Sequence, residues 1–406
     1  MICAAPAGKK AISSYKANNL YHQFYTQIQD TARKLSPGLS GLAEVSWDHL
    51  LSPLELKLPK EVYHNALAAI EAFYRVSRLP SYVKKLQPVP AVCARPPANR
   101  AVLMAYDFHT NEDGQCFLVE INTNASGFLL ASIMQMVKLG QTPAQFQPMT
   151  DLIGSFNSEL SLFNGGSLPA QPHVAIIDEN ILEQKMYPEF VIYKDWFERN
   201  GWRADIVEAK DFVKADLVYN RTTDFYLDGE SLTNLRKSYE NREACFSPNP
   251  YEYWLLADKE RLIQFSDASF WSGLGASIQD QEAIQKVLIP TFEKSAIGTA
   301  EEIWDQRKSL FFKPKQSHGG KSVYRGESVS RKVFERLMQE QDILIQKYQP
   351  AQRVPTDDPR SVLTNWKFDL RFFVYENKIQ MVAARTYQGQ VTNFASPYGG
   401  FTFVQF

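Results

Sequence analysis

Two carboxylates that one hairpin sets face to face constrain this chain more than any other feature of it. The stretch YDFHTNEDGQCFLVEINTNASG, from Tyr106 to Gly127, reads as two strands around Asp113-Gly114. A two-residue loop there pairs Glu112 with Gln115, and counting outward puts Asp107 opposite Glu120. Asn122 lies two residues further on, so its side chain leaves the same face. Like charges directly opposed on a sheet are destabilising. A hard cation such as Mg²⁺ between the three oxygen donors explains the arrangement. A solvated hairpin with both carboxylates in water is the competing reading. Phe117, Val119 and Ile121 form the other face and read as buried.

The chain has 406 residues, more than one core usually holds, so two or three subdomains are expected. A net charge of -1 argues against a nucleic-acid or membrane partner. No apolar run has the length of a membrane span. The start MICAAPAGKKAISS lacks the basic-then-apolar order of a signal peptide. Cys3, Cys93, Cys116 and Cys245 show neither a CxxC pair nor metal-ligand spacing. Together these predict a cytoplasmic protein with reduced thiols.

Residues 14–86 read as helical, with loops at SPGLSG and LLSPLELKLP, and QPVPAVCARPPANR reads as a linker. From residue 172 the pattern changes. HVAIIDE, RADIVEA and ADLVYNR are strands, EFVIYKDWFERNG is a helix, and the alternation implies a parallel sheet. YEYWLLADKERLIQFSD reads as a helix, and the remainder is rich in strands.

Two later stretches carry chemistry. In LFFKPKQSHGGKSVYRG an apolar strand delivers Lys313 ahead of Gly319-Gly320. A lysine at a strand end beside a glycine loop suits nucleotide phosphates, because backbone N–H groups can then approach the oxygens; a plain turn is the bland alternative. In FDLRFFVYENKIQMVAARTYQGQVTNFASPYGG two strands flank Glu376-Asn377. Charged residues in such apolar strands need partners. A structural reading pairs Asp369 with Arg371 at the sheet edge. A functional reading makes Arg385 an anion-binding group ahead of a loop.

In that order these stretches resemble the ATP-grasp superfamily, and the early position of EIN resembles the permuted arrangement of eukaryotic-type glutathione synthetase. The resemblance implies an α/β (α+β) class, a permuted ATP-grasp fold with an inserted parallel-sheet subdomain and an N-terminal helical segment. The divisions it implies are 1–100 helical, 101–171 metal-binding hairpin and helices, 172–260 inserted α/β substrate-binding subdomain, and 261–406 nucleotide-binding and lid region. Matched residue by residue, Asp107, Glu120 and Asn122 fall on the metal hairpin. Lys259, Lys313, Gly319 and Gly320 fall on phosphate-binding positions, and Gln346, Lys347 and Tyr348 on the adenine hinge. Asn180, Gln184, Arg221 and Ser126 match substrate-binding positions, and Arg385 the catalytic arginine. Ala105, Ser317-His318 and Tyr387 depart from the family, which has an arginine, a glutamate ligand and a lysine there.

The resemblance implies an ATP-dependent carboxylate–amine ligase that works through an acylphosphate. Its cofactors would be ATP and two Mg²⁺ ions held by Asp107, Glu120 and Asn122. Its substrates would be a small carboxylate, amino-acid or γ-glutamyl-like, and an amine, and a homodimer is the assembly to test. An ATP-grasp small-molecule kinase and a non-catalytic nucleotide-binding protein are the alternatives.

Overall fold

The computed structural model describes residues 8–42, 45–315, 323–354, 366–390, 392–394 and 396–406, with side chains from Tyr21 onward. Gly319 and Gly320 therefore lie outside the described residues. The chain enters a main sheet with β1 (Leu51–Lys57), β2 (Met104–Thr110) and β3 (Cys116–Asn122). It leaves to form a second sheet from β4 (His173–Asp178), β5 (Arg203–Glu208), β6 (Leu217–Asn220) and β7 (Cys245–Phe246). It builds a third from β8 (Thr291–Glu293), β9 (Leu310–Pro314), β10 (Tyr324–Arg325) and β11 (Ile343–Lys347). It then returns to the first with β12 (Lys367–Tyr375), β13 (Lys378–Tyr387) and β14 (Gly400–Gln405).

The main sheet has the order β1-β14-β13-β12-β2-β3, so residues 261–406 are divided between two sheets. The second sheet, β5-β4-β6-β7, is parallel throughout. The βαβ alternation predicted this, because the helix Tyr187–Arg199 links β4 to β5. The third, β10-β9-β11-β8, is antiparallel. Its inner face packs Phe312, Ile343 and Ile345 with Phe334 and Leu337.

Three elements differ from the sequence reading. LLSPLELKLP is not a loop: Leu51–Lys57 is an edge strand parallel to β14. Pro53 is tolerated there because an edge leaves one side without ladder bonds. The Gly-Gly segment near the C-terminus feeds β14 rather than a loop alone, with Gly400 at φ 108°. The segment YEYWLLADKERLIQFSD is not one helix. A π-helical turn, Tyr253–Ala257, stops at Asp258, and a new helix runs Glu260–Ser266.

The helix Phe128–Leu139 begins at Gly127, whose φ is 96°. The buried carboxylate of Glu189 accepts from the N–H of Gly127 at 2.8 Å and of Leu129 at 3.2 Å, satisfying N-terminal donors. A Cβ at position 127 would lie 1.8 Å from the Phe401 ring. Gly127→Ala should therefore cost roughly 3 kcal/mol or more through overlap and left-handed backbone strain. A thermal melt checks this, and an unchanged midpoint would contradict it.

Candidate active site

The hairpin brings Asp107 opposite Glu120, as read from the sequence, but by a different route. The loop closes over three residues, with Asn111 N–H on Gln115 O at 3.2 Å and Gly114 at φ 74°. That is a three-residue turn with glycine in the left-handed position. It shifts the tip register by one, so Thr110 faces Cys116 and Phe108 faces Leu118. A bulge at Val119 inserts one residue and restores Asp107 to Glu120 and Ala105 to Asn122. The bulge also inverts the alternation. Cys116, Leu118 and Ile121 are buried, whereas Phe117 and Val119 are half-buried, contrary to the expected face.

The neighbouring strands then decide what Asp107 does. Arg371 on β12 stands directly opposite Asp107 on β2. Its Nε donates to Oδ1 at 2.8 Å and its Nη2 to Oδ2 at 2.7 Å. Arg385 on β13 stands opposite Asp369, binds it through Nε at 2.7 Å and Nη2 at 2.9 Å, and also reaches Asp107 Oδ2 at 2.9 Å. Thr392 donates to Asp369 as well. The expected Asp369–Arg371 pairing is therefore exchanged: each arginine takes the carboxylate across the strand, because residues two apart on one strand lie further apart than cross-strand neighbours. Burial alone would raise the Asp107 carboxyl, but Arg371 and Arg385 outweigh it and hold it below its usual value.

This answers the puzzle of opposed carboxylates differently from a metal between all three donors. The cations beside Asp107 are the protein's own, and Asn122 Nδ2 adds a donor to Oδ2 at 3.1 Å. Asp107, 1% exposed, does not present an open ligand. Glu120 does: it is half-buried and, among the described residues, its side chain makes no hydrogen bond or ion pair. Two oxygen donors, Glu120 and Asn122 Oδ1, thus fit a Mg²⁺ ion that takes its other ligands from phosphates and water.

Facing them is the outer side of the third sheet. Cross-strand pairs Leu344–Lys313 and Gln346–Phe311 place these four side chains on one face. Lys313 is buried, and its Nζ donates to the Val119 carbonyl at the bulge, 3.3 Å away. Burial pushes its ammonium down to about 8; Glu120 and Asp107 oppose that shift and Lys259 adds to it. Lys259, itself buried, sits at the start of the helix Glu260–Ser266, where the break after the π-helical turn delivers it. Gln346 is buried on Thr291 Oγ1 at 3.1 Å, and Lys347 is exposed. Tyr348 stacks on Phe311, the ring centroids 6.3 Å apart. The N–H groups of Lys347 and Tyr348 are already used, on Pro290 O and Ser309 O.

The carboxyl ends of the second sheet supply the third wall. Arg221 follows β6 and is buried; it donates to the Asn124 carbonyl at 2.7 Å and to the Ser126 hydroxyl. Arg371 Nη1 reaches the Ser126 carbonyl at 3.3 Å. Ser126 therefore joins the second sheet to the main sheet, and Arg221, Arg371 and Arg385 line one connected network. Asn180 and Gln184 lie beyond the end of β4, beside the strand that precedes Arg221. Asn180 is exposed at φ 49°, and Gln184 Nε2 is bonded to the Glu179 carbonyl at 2.8 Å. Asp178, at the end of β4, is pushed up to about 6 by burial, with Arg221 opposing. Asp178 was not singled out from the sequence, and Arg371 was read there only as a structural partner of Asp369, not of Asp107. The signal for Arg371 was present, a second arginine in an apolar strand, but its partner lies 264 positions away.

No protein-family model and no curated protein matches the chain. Among solved structures it is similar to a glutathione synthetase-like effector from Globodera pallida in its apo form. Identity is 11%, over 93% of this chain and 96% of that one, with a TM-score of 0.54. It also aligns with a candidate γ-glutamylcysteine synthetase from Methylobacillus flagellatus at 9% identity, over 84% of this chain and 86% of that one, with a TM-score of 0.45. The first likeness shows a shared fold; the second is too loose to add to it. Among the described residues no helix is long and apolar enough to cross a membrane.

Proposed function

We propose that the chain is an ATP-dependent carboxylate–amine ligase with a permuted ATP-grasp architecture, built like glutathione synthetase. The observation that carries the reading is the convergence around Asp107 of a buried lysine, the Glu120 carboxylate and an arginine network. Lys313, with Lys259 beside it, meets the phosphates. The Phe311–Tyr348 face offers apolar surface for the base. Mg²⁺ on Glu120 and Asn122 would neutralise phosphate charge. Arg221, with Asp178 nearby, suits the carboxylate and ammonium of an amino-acid-like substrate. The substrate carboxylate attacks the γ-phosphorus and ADP leaves. The amine then displaces phosphate from the acylphosphate, losing a proton. Arg385, held by Asp369 and Asp107, is positioned to stabilise the oxyanion formed at each step.

A nucleotide-binding protein without turnover is the second reading, favoured by the closure of Asp107 between two arginines. ADP release from MgATP separates the two, measured with a panel of acids with and without amines and starting from γ-glutamylcysteine with glycine. The ligase reading expects an acid–amine pair to stimulate release and Glu120→Ala to reduce it by about 100-fold or more. Binding of MgATP with no turnover by any pair supports the second reading. Failure to bind MgATP removes both.

A further inference from the structure

Asp107 and Glu120 face each other, yet only Glu120 is open. The two oxygens of Asp107 receive four N–H donors: Arg371 Nε on Oδ1, and Arg371 Nη2, Arg385 Nη2 and Asn122 Nδ2 on Oδ2. A carboxylate has about four lone-pair sites, and three of these donors crowd one oxygen. A divalent ion at a metal–oxygen distance of about 2.1 Å would stand within about 5 Å of a guanidinium, and like charges that close in a buried site repel strongly. Asn122 follows from the same contact. Its Nδ2 faces the carboxylate because only the N–H₂ end can donate, so Oδ1 turns away from Asp107.

We propose that the Arg371 guanidinium stands in the place of a second divalent cation, so that this chain binds one Mg²⁺ per ATP, on Glu120 and on the Asn122 Oδ1 that Asp107 orients. The inference rests on the nucleotide site proposed above. Arg371 arrives from the adjacent strand at the directly opposed register position, and its Nη1 is held by the Ser126 carbonyl. Its charge is therefore fixed by the sheet itself. Arg371 is a positioning residue: it holds Asp107, Asp107 holds Asn122, and Asn122 offers its oxygen to the ion.

The test counts Mn²⁺ by electron paramagnetic resonance, titrated into protein saturated with a non-hydrolysable ATP analogue. Wild type should bind one ion per chain and Arg371→Lys one. Arg371→Met, which frees Asp107 Oδ1 and removes the nearest guanidinium, should bind two, and Asp107→Asn/Arg371→Met one again. Two ions in wild type, falling to one in the double variant, would make Asp107 a ligand and overturn the inference. One ion in a folded Arg371→Met protein overturns it as well, and the wild-type count decides the matter if that variant does not fold. Nucleotide bound with two ions removes only this inference. No nucleotide and no Mn²⁺ bound by wild type defeats the proposed function itself.

Discussion

Lys313→Met should give a protein that melts at a higher temperature than wild type at neutral pH and binds MgATP at least about 100-fold more weakly. Both effects come from one buried ammonium. Burial holds Lys313 at about 8 in the folded chain, against about 10.4 for a lysine in the unfolded one. Between those values the unfolded state binds more protons, so wild-type stability rises with pH through that window. Below it, the folded state carries a buried charge at a cost of roughly 3 kcal/mol. Methionine keeps the stem volume and removes the charge. The same charge is what a triphosphate needs, so the variant loses binding as it gains stability. Thermal melts near neutral pH and near about pH 10 should show a gap that closes, and calorimetric MgATP affinity should fall in wild type, but not in the variant, as pH passes about 8. A variant that melts lower and binds nucleotide normally would make Lys313 a structural lysine.

The site was readable where its logic is local and obscure where it is assembled by pairing. Asp107 and Glu120 could be set opposite each other because their strands are joined by a short turn. Even so, the turn pairs one residue differently, and the bulge at Val119 cancels the shift. Nothing in the tripeptide Leu118–Glu120 announces a bulge; it arises where Lys313 draws on the Val119 carbonyl. The inserted parallel sheet was legible because each strand is a short apolar run followed by a helix or turn signal. β1 and β14 were not, since their pairing joins Leu51 to Phe401 and neither segment alternates clearly. The helix at 250–266 was half legible: its apolar spacing is helical, but the break at Asp258 is what points Lys259 at Lys313. Most instructive is the exchange of partners among Asp107, Asp369, Arg371 and Arg385. Sequence spacing suggested a pair along one strand, and strand order, invisible in the sequence, made two pairs across strands.

That exchange predicts opposite outcomes for two carboxylates that face each other. Asp107→Ala leaves Arg371, more than nine-tenths buried, without its carboxylate, while Arg385 keeps Asp369. Breaking a buried pair in this way costs about 3–5 kcal/mol. Glu120→Ala removes a side chain that makes no hydrogen bond or ion pair among the described residues and supports the Lys313 charge from nearby, so its stability should fall by no more than about 1 kcal/mol. Both should lose ligase turnover, so activity alone does not separate them, whereas a denaturant melt does. Acid adds a second distinction. The Asp107 carboxyl titrates below its unfolded value of about 3.9, so its contribution is present above that pH and is lost as pH falls through the folded value. Asp107→Asn, whose amide oxygen can still accept from an arginine, should start from lower stability and show a shallower decline below about pH 4 than wild type. If instead Glu120→Ala melts as low as Asp107→Ala, the two carboxylates share one structural role, and the open ligand position assigned to Glu120 does not exist.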